Sequence, residues 1–503
     1  MAELTPPFPP GRYPIVIVGS GPGGLQLSTS LTARNIAHAV LSQDEAPGGM
    51  FRRFPLFQRL ITWSKRHSPV GAGTRSYEWY DWNTLLADNP ARRALLPEFM
   101  DGTSIFPTRA EMERSLVTFA ERSEVRVRYG CRWEGIRRGE DGFALETSDG
   151  EYSCRVAVFA VGMAEPWKPA IPGIDAVPHY VDTLPVREYA NKRVFIIGKR
   201  NSAFELADAL HPWARQIVLA SPRPAVISLY SRSASASVRA RYVVPYEDYL
   251  LGGGTLALDA SIDRIERLGE IWRVHTTGTT TPGSLTFDAD AVIAATGFTT
   301  PLGTLRALGL KTFSRDRIPS LTPFWESVTV PGIYFGGAIS TGAVGLRKYG
   351  LSSLSGSVSG FRHNMRVLAE HLARTAFQAA LPRRVLSPTQ VVPYLMAEVG
   401  SAPELWNQRA YLARAVSVGE DGRIVDEGIL PLQFFLDSSG PDGVAITVET
   451  DDRGEHRSGV YVRHRGVVTE RVLPAGPLLT FDTPDHRAQL YDLLKPLLPS
   501  GAL

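Results

Sequence analysis

Gly19-Ser20-Gly21-Pro22-Gly23-Gly24 stands between an apolar run, Pro14–Val18, and a stretch from Leu25 to Ala33 whose apolar residues recur at helical spacing. A G-x-G-x-x-G turn that leaves a buried strand and opens a helix suits one task, the holding of a dinucleotide pyrophosphate. Gly19 permits the sharp turn, Gly21 lets phosphates close on the backbone, and Gly24 lets helix and strand pack tightly. The helix N-terminus adds N–H groups for the anion. An acid about 20 residues further on normally holds the ribose hydroxyls. Here that slot reads Leu41-Ser42-Gln43-Asp44. The acid is missing or displaced to Asp44, and Gln43 is the residue able to hydrogen-bond a ribose.

A second turn, Gly198-Lys199-Arg200-Asn201-Ser202-Ala203, follows the apolar run Arg193–Ile197. Arg200 replaces the glycine whose missing Cβ admits the pyrophosphate. Either Arg200 pairs with phosphate through its guanidinium, or binding of a nicotinamide cofactor is weakened or lost. Arg223, just past the next strand, is placed to meet a 2′-phosphate, or is a solvated loop arginine.

Other residue types mainly exclude. Cys131 and Cys154 are the two cysteines and form no C-x-x-C pair, so no disulfide framework, dithiol redox pair or four-cysteine zinc site is expected. Ten histidines show no HExxH and no zinc-like spacing, and no metal is expected. Lys+Arg 54 against Asp+Glu 51 leaves +3, which gives no electrostatic case for nucleic acid or an acidic membrane. No apolar run approaches the ~18 residues of a membrane span, and the first fifty residues carry no leader pattern. The expected location is the cytoplasm.

Positioning two such turns takes two α/β units, and 503 residues leave room for more. The first βαβ unit starts at Tyr13 and the second at Lys192. Between them, Asp44 to Phe106 lacks periodicity and is rich in Trp, Tyr, Arg and Pro, as a lid would be. A helix is predicted over Glu111–Ala120, strands over Val125–Tyr129, Val156–Val161, Ala291–Ala295 and Ile333–Phe335, and a helix through Val367–Ala379. From Leu386 the texture changes, with a helical stretch at Glu404–Ala415, alternating strands at Val444–Val448 and Val460–Val462, and an amphipathic segment at His486–Leu498. The expected fold is α/β, with two Rossmann-like dinucleotide-binding domains. The first covers 1–185 and 286–380, the second 186–285, and a small α+β appendage covers 386–503.

The Gly48-Gly49-Met50 turn, Ala160-Val161-Gly162, Ala295-Thr296-Gly297-Phe298 and Pro331–Gly337 complete an order of motifs that resembles the two-dinucleotide-binding flavoproteins. Leu60–Arg66, Tyr80–Leu86, Phe106-Pro107, Asn201–Glu205 and Ser359–Arg362 are similar to the FAD-dependent oxidoreductase domain-containing proteins. That family lies beside the class B flavin monooxygenases, which include N-hydroxylases. The resemblance implies FAD at the first turn and NADPH at the second. Gly19, Gly21, Gly23, Gly24, Gln43, Gly49, Met50, Trp133, Gly162, Gly337 and Arg362 would then hold FAD. Gly198, Arg200, Asn201, Ser202, Glu205, Arg223, Thr296 and Gly297 would hold NADPH.

Disulfide reduction on this architecture needs a dithiol facing the flavin, which two separated cysteines do not supply. The monooxygenases of the superfamily reduce FAD with NADPH, add O₂ at flavin C4a to give a (hydro)peroxyflavin, and pass one oxygen to a nucleophile. The protein shields that chemistry from water. The Asp44–Phe106 segment would be the shield, with Ser64, Lys65, Asp81 and Asn83 as polar residues over the flavin. Lys65 also reads as a solvated loop charge, and Asp81 as a helix N-cap before Leu85-Leu86. Pro172-Gly173 and His179 only loosely echo the FxGxxxH fingerprint, which lowers the weight of Baeyer–Villiger chemistry. The expected activity is oxygenation of a small-molecule soft nucleophile, an amine nitrogen first, in secondary metabolism. An FAD oxidase or dehydrogenase, favoured by Arg200, is one alternative. A non-catalytic flavoprotein that binds partners through its appendage is the other. Oligomeric state is left open.

Overall fold

The computed structural model describes residues 6–55, 57–228, 237–343, 345 and 353–498. Strand β1 (Gly11–Val18) is followed by helix α1 (Pro22–Thr32) and strand β2 (Ala39–Leu41). Ile15, Val16 and Ile17 are fully buried, as a parallel strand covered on both faces requires. Pro22 opens α1 at a position where its missing N–H costs nothing. Helix α2 (Arg109–Arg122) begins with a capping box in which Thr108 and Glu111 satisfy each other's backbone N–H. The antiparallel strands β3 (Trp133–Gly139) and β4 (Gly142–Thr147) lead onto β5 (Gly150–Phe159), giving the order β2-β1-β5-β4-β3.

The second unit contains β6 (Arg193–Ile197), α3 (Asn201–Leu210), β7 (Gln216–Ser221), α4 (Val244–Leu250), β8 (Thr255–Leu268), β9 (Ile271–Gly278), β10 (Ser284–Ala289) and β11 (Ala291–Ala294). Its sheet runs β10-β9-β8-β7-β6-β11. The chain returns to the first sheet at β12 (Ile333–Phe335), parallel to the end of β5, and then forms α5 (Val358–Thr375) against α1.

The two units repeat one device. A Cβ on Gly19 would lie 2.5 Å from the Ala160 carbonyl oxygen, and a Cβ on Gly198 would lie 2.5 Å from that of Ala295. Each glycine has a positive φ, +113° and +137°. The boundary expected after residue 285 falls inside β10, and β10 and β11 both belong to the second sheet. The crossover therefore comes after Ala294. The correction has a simple cause: β11 pairs in parallel with β6 through Ala291–Ala294 and closes the edge of the second sheet.

The C-terminal part, from Val385 on, is an α+β unit. Strand β13 (Val385–Leu386), α6 (Pro388–Ser401), α7 (Pro403–Asn407), β14 (Leu412–Val418), β15 (Ile424–Pro431), α8 (Leu432–Asp437), β16 (Asp442–Thr450), β17 (His456–His464), β18 (Val467–Pro474) and α9 (Pro484–Leu494) follow in order. The sheet is antiparallel, β13-β15-β14-β16-β17-β18. The helix predicted over 404–415 ends at Asn407, and Leu412–Val418 is an interior strand between β15 and β16. Pairing on both edges decides the conformation there, overriding local spacing.

Helix α5 carries His371, whose ring stacks on Phe324 at 3.9 Å and 7°. Burial holds this imidazole down at about 4, against about 6.5 in an unfolded chain. The unfolded state thus takes up a proton between these values while the folded state does not. Stability is unaffected above about pH 6.5 and falls by about 1.4 kcal/mol per pH unit from there toward 4. His371→Phe keeps the stack, and urea titrations across that range should show a shallower acid loss than in the parent. Among the described residues, no helix is long and apolar enough to cross a membrane.

Candidate functional site

The first turn is a cradle of four backbone segments. A Cβ on Gly24 would sit 1.9 Å from the Gly19 carbonyl oxygen, and one on Gly23 would sit 2.6 Å from Gly337 Cα. Gly24 therefore seals α1 against the turn, and Gly23 seals it against the loop after β12. Gly21 differs, since the nearest atom to its missing Cβ is Gly49 Cα at 3.9 Å. That open space, at the N-cap of an 11-residue helix with no side-chain cap, fits an approaching pyrophosphate. Gly49 (φ +57°) and Gly337 (φ +72°) adopt backbone suited to glycine against Gly21 and Gly23, and Gly162 (φ +65°) does so in the turn after β5. Met50 lies in the short 3₁₀ turn Gly49–Arg52 beside it.

At the end of β2, Ser20 donates to Ser42 at 2.8 Å, and Gln43 is exposed. Asp44 is taken by Arg53 in an ion pair, so the displaced acid is tied to the lid, and Gln43 is left as the ribose-side polar residue. Trp133 packs its ring on Phe159 at 4.7 Å and donates to the Gly135 carbonyl at 2.8 Å. One face of the ring thus covers the sheet at the end of β5.

Among its described residues the Asp44–Phe106 segment has four 3₁₀ turns and no α-helix or long strand. Its order comes from a buried polar network. Ser64 donates to Asp81 at 2.5 Å, Thr62 donates to Asn83 at 2.5 Å, and Asn83 donates to Ser64 at 3.1 Å. Thr84 completes it by donating to the second Asp81 oxygen. The backbone N–H groups of Asn83 and Thr84 also point at Asp81. This is the N-cap chemistry anticipated for Asp81, built into a turn without a helix. Three expected catalytic residues, Ser64, Asp81 and Asn83, are thus brought together, each no more than 2% exposed. Lys65 is not among them. Alternate residues of an extended segment face opposite sides, and Lys65 lies over the Tyr80 ring at 5.9 Å instead.

Arg362, expected at the flavin, is fully buried and donates to the carbonyls of Asp81, Thr84 and Glu78 at 2.9, 2.8 and 3.3 Å. It anchors the lid to α5. Gln26 clamps the same lid to α1, accepting from Leu86 N at 2.7 Å and donating to Leu86 O at 2.8 Å. The α+β unit holds the lid from outside. Arg75 binds Glu398 at 2.6 Å and Glu404 at 2.9 Å, and Trp79 donates to the Ser401 carbonyl at 2.9 Å. Burial raises the Glu404 carboxyl, but the charge of Arg75 outweighs it and holds Glu404 well below the usual range. Gln26, Arg75, Thr62 and Thr84 were missed in the sequence; a buried glutamine two residues past the glycine turn was the available signal.

In the second unit several expected cofactor residues serve the protein itself. Arg200 occupies the N-cap of α3 at φ −116°, a region open to any residue, so the backbone accepts it without rearrangement; its side chain is exposed. Asn201 spends its amide on Ser237 O at 3.2 Å and Arg239 N at 3.0 Å. Glu205 accepts from Tyr180 and Tyr242 at 2.7 Å each and from Arg59 N at 3.2 Å, which latches the lid onto α3. Buried Lys199 pairs with Asp259 across the strand ends. Ser202 is partly exposed in the first turn of α3, and Arg223 is exposed in the loop after β7. Thr296 donates to the Trp167 carbonyl at 2.5 Å, and Gly297 has φ +95° with no atom within 4 Å of its missing Cβ. Both stand at the crossover between units.

Cys131 and Cys154 are buried and free. Burial pushes their thiols up to about 11 and about 12, so neither is a thiolate near neutrality. Among the described residues no His/Cys/Asp/Glu cluster could hold a metal ion.

Two stacked nucleotide units, a glycine cradle and a polar lid define a two-dinucleotide-binding flavoprotein. Residues 16–337 match the pyridine nucleotide-disulphide oxidoreductase family, and the chain belongs to it. Membership makes it a flavin-dependent oxidoreductase, with FAD and NADP(H) implied for the two units. It is 25% identical over 487 residues to FAD-dependent oxidoreductase domain-containing protein 2 of Danio rerio, covering 86% of this chain and 69% of that protein. A bacillithiol disulfide reductase from Staphylococcus aureus superposes with a TM-score of 0.56 at 16% identity, over 73% of this chain and 99% of that one. A flavin-containing monooxygenase from Stenotrophomonas maltophilia gives 0.54 at 17% identity, over 73% and 100%. At these identities the two structures establish the fold.

Proposed function

We propose that the chain is an NADPH-reduced flavin monooxygenase that oxygenates a small-molecule soft nucleophile, an amine nitrogen first. The single observation that carries this is the chemistry of the lid. Where a disulfide reductase needs a dithiol, this chain has a buried network of Ser64, Asp81 and Asn83, and both cysteines are buried with raised pKa values. Electrons from NADPH then have O₂ as their acceptor. When bound, FAD supplies the hydride acceptance and the activation of oxygen. The chain's own groups orient the cofactor at the cradle, exclude water through the pinned lid, and fix hydroxyl and amide dipoles in one arrangement. One NADPH, one proton, one O₂ and the substrate give NADP⁺, water and the oxygenated product.

The test is turnover of a panel of primary amines and thioethers with NADPH under isotopically labelled O₂. A product carrying one labelled oxygen is expected; quantitative hydrogen peroxide with unaltered substrates would contradict it. The variant Cys131→Ala with Cys154→Ala should consume O₂ within about twofold of the parent's kcat/KM for NADPH, whereas a loss of ~100-fold would restore a dithiol mechanism.

A second reading, an FAD oxidase or dehydrogenase fed directly by its substrate, is favoured by the second unit. Asn201, Glu205 and Lys199 are occupied by protein partners there. Reduction of the flavin by an organic substrate in the absence of NADPH would favour it.

A further inference from the structure

Dinucleotides seat across the carboxyl ends of parallel strands, and the end of the second strand meets the adenosine ribose with its 2′ substituent. In the second unit those ends are Gly198–Arg200 after β6, Ser221–Arg223 after β7 and Ala295–Gly297 after β11, with Asp259 of β8 level with Ser221. Asp259 is the one carboxylate in this set. It stands at the ribose end, because Thr279 joins it to the loop after β7. Thr279 donates its backbone N–H to the Asp259 carbonyl at 2.8 Å and its hydroxyl to the Pro222 carbonyl at 2.7 Å. An uncompensated carboxylate there would accept from a ribose 2′-hydroxyl and repel a 2′-phosphate. Asp259 is compensated. One of its oxygens pairs with the Lys199 ammonium, and the other accepts from the Thr280 hydroxyl at 3.0 Å. The Lys199 side chain is 2% exposed and that of Asp259 25%. A buried ammonium needs a partner, so the lysine stays on the carboxylate while the carboxylate faces the edge.

We infer that Lys199 is a positioning residue for cofactor choice: by neutralising Asp259 it lets the second unit take a nicotinamide cofactor with a 2′-phosphate in preference to one with a 2′-hydroxyl. Lys199 acts through Asp259 and not by contact, since its own side chain is covered. With the pair neutral, the positive charge of Arg223, exposed in the loop after β7, sets the sign of that edge. A lysine in the glycine turn thus has a task separate from holding the pyrophosphate, which falls to backbone N–H groups. The inference rests on the second unit being the seat of the nicotinamide cofactor, and not on the reaction that follows.

The experiment is calorimetric titration of the FAD-loaded, full-length protein with NADP⁺ and NAD⁺, whose oxidised rings leave the flavin unreduced. The parent should bind NADP⁺ at least ~10-fold more tightly than NAD⁺. Lys199→Met bares the Asp259 charge and should cut that ratio by at least ~10-fold, through NADP⁺ alone. Lys199→Gln, which keeps a hydrogen bond to Asp259 but not the charge, should do the same. Lys199→Met combined with Asp259→Asn removes both charges and should return the ratio to within about threefold of the parent's. Far-ultraviolet circular dichroism and retained flavin confirm that each variant is folded. If the parent binds neither nucleotide, the second unit is not the cofactor's seat, and the inference falls with that reading. Three results leave the seat standing and overturn the role of Lys199: a parent that binds both nucleotides alike, Lys199 variants that lose both equally, and a double variant no better than the single one.

Discussion

Gly24→Val leaves the protein without FAD. The added Cβ would lie 1.9 Å from the Gly19 carbonyl oxygen, a backbone atom that can move only if α1 lifts from β1. That displacement opens the turn, and FAD affinity should fall by at least ~100-fold, or about 2.7 kcal/mol. Gly21→Ala is the informative partner. Its Cβ would have 3.9 Å of room to Gly49 Cα, so the apoprotein should keep its melting temperature. The methyl group would fill the space into which the phosphates come, and flavin should be lost all the same. Thermal melts of the two apoproteins, set beside flavin retained through gel filtration, separate a packing defect from a binding defect. Equal loss of melting temperature in both would refute the assignment of Gly21 to the phosphates.

Arg362→Leu should cost about 3–5 kcal/mol, the range for removing one partner of a buried charged cluster. It deprives three lid carbonyls, those of Glu78, Asp81 and Thr84, of their donor, and it strips Glu78 of its nearest compensating charge. Arg362→Lys should restore only part, because one ammonium cannot span carbonyls that a planar guanidinium bridges. Urea unfolding gives the magnitude. Limited proteolysis gives the place, with the first cuts expected between Thr62 and Thr84. A variant that unfolds as the parent does and is cut elsewhere would show that Arg362 does not anchor the lid.

The glycine turns were legible in the sequence because their chemistry is local: a strand, a fixed spacing and a helix specify the pyrophosphate seat. The same is true of Ala160–Gly162 and Ala295–Gly297, which end matched strands. Asp81, Asn83 and Ser64 were also legible as polar residues in an irregular, aromatic-rich segment, though not as one network, since Ser64 and Asp81 meet only when the segment folds back on itself. Lys65 falls outside that network by a single residue of alternation. Glu205 and Asn201 were read as cofactor residues from their place in a motif, yet their partners, Tyr180, Tyr242, Arg59 and Arg239, are distant in sequence. The α+β unit carries no motif because its contribution is made by contact: Arg75 and Trp79 are ordinary loop residues until Glu398, Glu404 and Ser401 arrive from more than 300 positions away.

The most direct test of an NADPH-reduced, dithiol-free flavoprotein is anaerobic titration followed by air. The purified protein should be yellow, bleach with one equivalent of NADPH under argon, and regain its colour when air is admitted, with one O₂ consumed per NADPH. A preparation that holds no flavin, or one whose flavin stays oxidised under NADPH, would contradict it.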